Sequence, residues 1–370
     1  MLTALFLGIS PLLYETILPT LIVLGILVFI HELGHFVLSK KLGVGVITFS
    51  LGFGPKLIGK KVGETQYQIA AFPLGGFVKL IGENPEEELK QEDLPRAFST
   101  QPVWKRFLIV AAGPFFNFLL AIVLFSIVNL FGVPSLLPKV GEVSPGLPAE
   151  KAGLKKGDLI LSVNQEKVSK WDELSKIIRS SQGKELILEV KRDEKIIEIK
   201  VTPQSSIQKN LFGEEIKIFL IGITPSGDTI VEKVGPIKAI GMGVAQTWFG
   251  IKLTAITIVK LIERVVPAKT IGGPLLIAQL AGEQAKKGIV SLVLFMAILS
   301  INLGIINLIP IPILDGGHFL FLALETILRK PISVKKMEIA QQVGLVIVIL
   351  LMIFAFYNDL VRIFSPIKGE

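Results

Sequence analysis

Four long apolar runs, near residues 18–39, 107–131, 289–309 and 340–364, divide the chain, and charge and glycine gather in the stretches between them. Each run is about as long as a bilayer-crossing helix requires, roughly 20 residues, so each predicts a span. Between the second and third runs the pattern changes to that of a soluble α+β insert, residues 137–230. There LILEVKR and KIIEIKV alternate apolar and charged positions as strands do, and WDELSKIIRSS has helical spacing. Residues 43–82 mix short apolar runs with Gly and Pro, which break helices. A strand over residues 67–71 and a turn at Gly75-Gly76 are expected, in a hairpin that either lies in the cytoplasm or dips into the membrane. The acidic stretch at residues 84–95 reads as a solvated loop. Residues 235–266 carry Trp248, Lys252, Lys260, Glu263 and Arg264 among apolar positions. Lys252 and Lys260 share a helical face, which predicts an amphipathic helix lying at the interface rather than crossing it. A second short helix is expected from Gly272-Gly273-Pro274 to Gly288.

Composition sharpens this picture. With 51% hydrophobic residues and a mean hydropathy of +0.63, the 370-residue chain is too apolar for an ordinary soluble protein. No cysteine is present, which excludes disulfides, thiolate metal ligands and a cysteine nucleophile. The net charge of +8 needs no nucleic-acid partner, because Lys and Arg flank spans for topology alone. Lys40-Lys41, Lys105-Arg106, and the group Arg329, Lys330, Lys335 and Lys336 mark cytoplasmic ends. The N-terminus and the insert are therefore expected outside the cytoplasm. The first thirty residues hold no Lys or Arg and no small-residue cleavage site, so no removable signal peptide is expected.

The chemistry sits inside the spans. His31, Glu32 and His35 form HELGH, and at helical spacing both imidazoles face one side, able to share one Zn²⁺ with Glu32 beside them as a base. His35 lies roughly 7 Å below the boundary marked by Lys40, at ~1.5 Å per residue. An ionisable group at that depth is a functional candidate by default. A three-ligand site needs one more donor. Asp315 follows the helix-ending Pro310 and Pro312 at a matching depth, with Gly316-Gly317 as a tight turn; His318, one turn beyond, is the alternative. Asn307 either donates its amide to a substrate carbonyl or makes an interhelical packing bond. The proline and amide of GPFFN, residues 113–117, read as helix packing.

HELGH in a first span, GPFFN in a second and NLIPIPILDGG in a third, with a PDZ-like phrase at residues 140–168, resemble the site-two protease family of intramembrane zinc metalloproteases. The resemblance covers nearly the whole chain. It implies a four-span α-helical membrane protein with a membrane-reentrant β-hairpin within residues 40–106 and one PDZ domain at 137–230. Helices after that domain follow at 235–288, and the outer spans are 1–39, 107–131, 289–328 and 340–364. It further implies His31, His35 and Asp315 as zinc ligands, Glu32 as general base and Asn307 as a substrate-positioning residue. The expected partners are a single-span membrane protein, such as an anti-sigma factor, a peptide or chain end at the PDZ domain, and membrane lipid. The setting is a bacterial cytoplasmic membrane with the active site near its cytoplasmic side. Two other classes fit some of the same residues: a metal or proton transporter, and an inactive PDZ-bearing scaffold. Against them stand the absence of an inverted repeat in the sequence and the intact Glu32.

Overall fold

The computed structural model describes residues 13–83, 89–210, 212–330 and 332–364. The expectation about a leader falls partly on residues 1–12, and part of the acidic stretch on residues 84–88, both outside the described residues. In chain order the elements are α1 (Leu18–Lys41), β1 (Val46–Val62), β2 (Thr65–Leu80) and α2 (Val103–Phe131). The insert contributes β3 (Val133–Leu136), β4 (Val140–Val143), α3 (Pro148–Lys151), β5 (Leu159–Val163), β6 (Glu166–Lys167), α4 (Trp171–Ser180), β7 (Leu186–Arg192), β8 (Lys195–Val201), β9 (Gln204–Lys209), β10 (Glu215–Leu220), β11 (Ile223–Pro225) and β12 (Thr229–Glu232). Helices α5 (Pro236–Ile262), α6 (Pro274–Lys287), α7 (Ile289–Leu308), α8 (Asp315–Leu328) and α9 (Val334–Phe364) complete the chain. Two compact units result: residues 1–128, 237–259 and 267–370 form one, and residues 129–236 with 260–266 the other.

The first unit is a helix assembly. Val23 and Leu27 of α1 pack with Met296 of α7 and with Leu120 and Leu124 of α2. Ala121 and Phe125 of α2 meet Ala297 and Ile301 of α7. Between apolar helices in lipid such contacts act through close packing rather than water exclusion, so small residues such as these alanines matter for approach. Strands β1 and β2 are antiparallel, and β2 doubles back. Thr48 to Leu51 pair with residues 66–69 on one side and with residues 76–79 on the other. Residues 76–80 thereby form an edge strand.

Five helices among the described residues are long and apolar enough to cross a membrane, where the sequence pattern predicts four. The added one is α5, a single 27-residue helix. The spacing of Lys252 and Lys260 predicts an interfacial helix there. Between Lys238 and Lys260, however, the only charge is Lys252, and one lysine with a long apolar stem interrupts a spanning pattern little. Thr254 of α5 donates to the Asn302 side chain of α7 at 2.9 Å. The start of α6 is held from α9, where buried Asp359 accepts from the amides of Gly273 (2.9 Å), Leu275 (3.0 Å) and Leu276 (3.1 Å). A carboxylate there satisfies the amides that open a helix.

The second unit has a four-stranded antiparallel sheet in the order β6-β5-β7-β8, and paired strands β3-β12, β4-β11 and β9-β10. Its core is Val140, Ile160, Val163, Leu174, Leu188, Val190 and Ile221, all nearly or fully buried. Buried Asp158 is answered by a bidentate Arg192, both bonds at 2.7 Å. Helix α4 and residues 218–225 enclose a groove lined by Leu147, Leu174, Ile178 and Phe219, with Arg179 also in its lining.

Candidate metal centre

Helix α1 carries His31 and His35 one turn apart with Glu32 next to His31, and α2 crosses it at Gly34 and Gly113. A Cβ on Gly34 would stand 2.7 Å from the Ala112 carbonyl carbon. A Cβ on Gly113 would stand 2.7 Å from His31 Cε1 and 2.6 Å from His35 Cε1. Glycine is therefore required at 113 for both imidazoles to lie against α2. On the far side, α7 ends at Leu308 and the prolines redirect the chain into α8, whose first residue is Asp315. The connecting backbone folds back on that first turn. A Cβ on Gly316 would come within 2.5 Å of the Ile309 carbonyl carbon, and one on Gly317 within 2.5 Å of the Ile311 oxygen. The DGG turn thus brings the Asp315 carboxylate toward α1.

These segments, almost 300 residues apart in sequence, bring three donors into one triangle. His31 Nε2 lies 3.3 Å from His35 Nε2, and Asp315 Oδ2 lies 3.1 Å from the first and 3.5 Å from the second. Ligands bound tetrahedrally at ~2.0–2.1 Å stand about 3.3 Å apart, so the triangle has the size a zinc site needs. The donor chemistry agrees. His35 Nδ1 donates to the Ile109 carbonyl at 2.9 Å, and because a carbonyl only accepts, the ring proton is on Nδ1 and Nε2 carries a lone pair. Asp315 Oδ2 is buried without a hydrogen bond. The His35 Nε2 lone pair and the Asp315 carboxylate thus face one another at 3.5 Å, an arrangement that a shared cation satisfies.

The cluster opens on a cavity of about 500 Å³ lined by Glu32, Asn307 and His318, and by Gly75, Gly76, Phe77, Val78 and Leu80 of β2. The Leu80 amide donates to Glu83 Oε2 at 3.0 Å, at the same wall. Of the residues singled out in the sequence, His31, His35 and Asp315 converge, Glu32 shares their cavity, and the Asn307 amide lies 3.4 Å from His31 Nε2. His318 lines the cavity but is not in the three-donor group. Two residues of GPFFN are part of the site: Gly113, to which the sequence assigns no role, and Asn117, read from sequence as packing, whose fully buried amide lies 3.0 Å from His31 Nδ1. The available signal was their i,i+4 spacing, which puts a gap and a polar amide on one face of an apolar helix.

The profile of peptidase family M50 matches residues 19–351. A protein of Mesorhizobium japonicum named as a zinc metalloprotease is 38% identical over 364 residues, covering 93% of this chain and 98% of that protein. One of Campylobacter jejuni with the same designation is 36% identical over 349 residues, covering 94% and 93%. The regulator of sigma-W protease RasP of Bacillus subtilis is 32% identical over 427 residues, covering 95% and 99%.

Proposed function

The chain belongs to peptidase family M50 and is a zinc metalloprotease with membrane-spanning helices, and from that membership we propose that His31, His35 and Asp315 hold the zinc, with Glu32 as general base. The observation that carries this assignment is the convergence of HELGH and the DGG aspartate on one triangle, His31 buried and His35 and Asp315 half-buried, beside a cavity that Glu32 also lines. Bound zinc supplies Lewis-acid polarisation of the scissile carbonyl and acidifies the attacking water. Glu32 takes the proton of that water and passes it to the leaving amine, so one carboxylate serves as base and then as acid. Asn307, whose amide lies 3.4 Å from His31 Nε2, donates to the substrate carbonyl as charge develops there.

The substrate is the transmembrane segment of a single-span protein. Such a helix has every peptide bond satisfied internally, so a short stretch must be unwound before cleavage. Residues 76–80 run along the cavity as an edge strand and offer a backbone template for that stretch. In this reading the β1–β2 hairpin is membrane-reentrant, residues 137–230 are a PDZ domain that takes a peptide or chain end in its groove, and the N-terminus and that domain lie outside the cytoplasm. The name of the sigma-W relative supports a regulatory target, an anti-sigma factor or similar, cut in a bacterial cytoplasmic membrane. The test is cleavage of a single-span reporter by purified protein in detergent. Activity that is lost with a chelator and restored by zinc is expected, with Glu32→Gln inactive. A Gln variant cutting at the parental rate would remove Glu32 from the mechanism.

A further inference from the structure

One face of α2 presents three features at successive turns: the Ile109 carbonyl, the bare Cα of Gly113 and the Asn117 side chain. The first accepts the Nδ1 proton of His35. The second gives both rings room. We infer that the third is a positioning residue for His31: the Asn117 amide oxygen accepts the His31 Nδ1 proton and so fixes the tautomer whose Nε2 lone pair faces Asp315 and His35. This rests on the reading of the triangle as the zinc site.

His31 enters the triangle by Nε2, and a neutral imidazole that offers a lone pair there must carry its proton on Nδ1. That N–H is buried and needs an acceptor, and the Asn117 amide is the group beside it, at 3.0 Å. An amide can turn either end to the ring. As placed, Nδ2 faces the ring, so Nδ1 accepts and the ring proton falls on Nε2, the atom that must ligate. Turned over, the oxygen receives the ring proton that ligation requires. Asn117 is fully buried, and its own backbone carbonyl accepts from Ser300 Oγ of α7 at 2.7 Å, a packing bond between α2 and α7 that does not involve the side chain.

The test separates positioning from packing. Zinc affinity is measured by chelator competition on the full-length protein in detergent for Asn117→Leu, Asn117→Asp and Ser300→Ala, alongside kcat and KM for a single-span reporter. Asn117→Leu keeps the volume but offers no acceptor, and its affinity should fall about 10–100-fold with kcat falling and KM nearly constant. Asn117→Asp restores an acceptor and should recover most of that loss. Ser300→Ala breaks only the packing bond and should stay within about threefold of the parent. With only three histidines in the chain, ¹⁵N spectra of the imidazoles add a second readout. The zinc-free parent should show His31 protonated at Nδ1, and Asn117→Leu should shift it toward Nε2. The inference is overturned if Asn117→Leu binds zinc like the parent with an unchanged tautomer, or if Ser300→Ala loses as much as Asn117→Leu. A parent that binds no zinc overturns it together with the metal assignment; a zinc-binding, active parent with an indifferent Asn117 overturns it alone.

Discussion

Replacing Gly113 with alanine adds one methyl group where α2 has nothing between its backbone and the two imidazoles. The new Cβ would stand 2.7 Å from His31 Cε1 and 2.6 Å from His35 Cε1. Carbon atoms rest at about 3.5–4.0 Å, so the rings must retreat by roughly 0.8 Å or the helices must part. Retreat is opposed, because His35 is tied to Ile109 at 2.9 Å, a bond worth about 0.5–1.5 kcal/mol. A displacement near 1 Å at a reacting centre costs on the order of 100-fold in rate. The expected result for Gly113→Ala is therefore a kcat/KM about 100-fold down with weakened zinc retention. Alanine exceeds glycine in intrinsic helix preference by roughly 1 kcal/mol, so simple loss of helix stability is not the expected cause. The control is Gly25→Ala on α1, where a Cβ meets nothing within 4 Å, and parental activity is expected. The assay is reporter cleavage in detergent with bound zinc measured in the same preparations. A Gly113→Ala protein that keeps its zinc and cuts at the parental rate would refute the reasoning that the α1–α2 crossing sets the ligand geometry.

Glu32→Gln should retain zinc while cleavage falls at least 10²–10⁴-fold, the range for a general base, as single-turnover assays would show. Asp315→Ala should lose most of its bound zinc, whereas His318→Ala should keep it, because His318 lies in the cavity wall but outside the donor triangle; metal analysis after gel filtration distinguishes them. Arg106 of α2 holds Glu325 of α8 in a bidentate pair at 2.9 and 2.5 Å. A double-mutant cycle with Arg106→Met and Glu325→Leu should give a coupling of about 0.5–3 kcal/mol in detergent unfolding, and each single variant should be less stable than the double.

Much of the site could be read from the chain because its parts are short and rigid. HELGH puts two imidazoles on one helical face whatever surrounds it, and the prolines and glycines of NLIPIPILDGG leave the chain few paths from α7 into α8. Charge at the ends of the apolar runs then placed both segments at one depth. What the pattern did not give were properties of packing. Asn117 looks like any interhelical amide until α1 is laid against α2, and the need for Gly113 appears only when the rings occupy the space beside it. The doubling back of β2 around β1 depends on long-range pairing at Thr48 to Leu51 that no local periodicity encodes. For α5, two lysines eight residues apart outweighed the apolar stretch between them in the pattern, whereas a single continuous helix forms.

Whether Asp315 shares the ion with the two histidines is tested by X-ray absorption at the zinc edge on the purified protein and on Asp315→Ala. Two imidazole nitrogens and carboxylate or water oxygens at ~2.0–2.2 Å are expected in the parent, and loss of the ion or of an oxygen ligand in the variant. A zinc spectrum unchanged by removal of the Asp315 carboxylate would contradict that sharing.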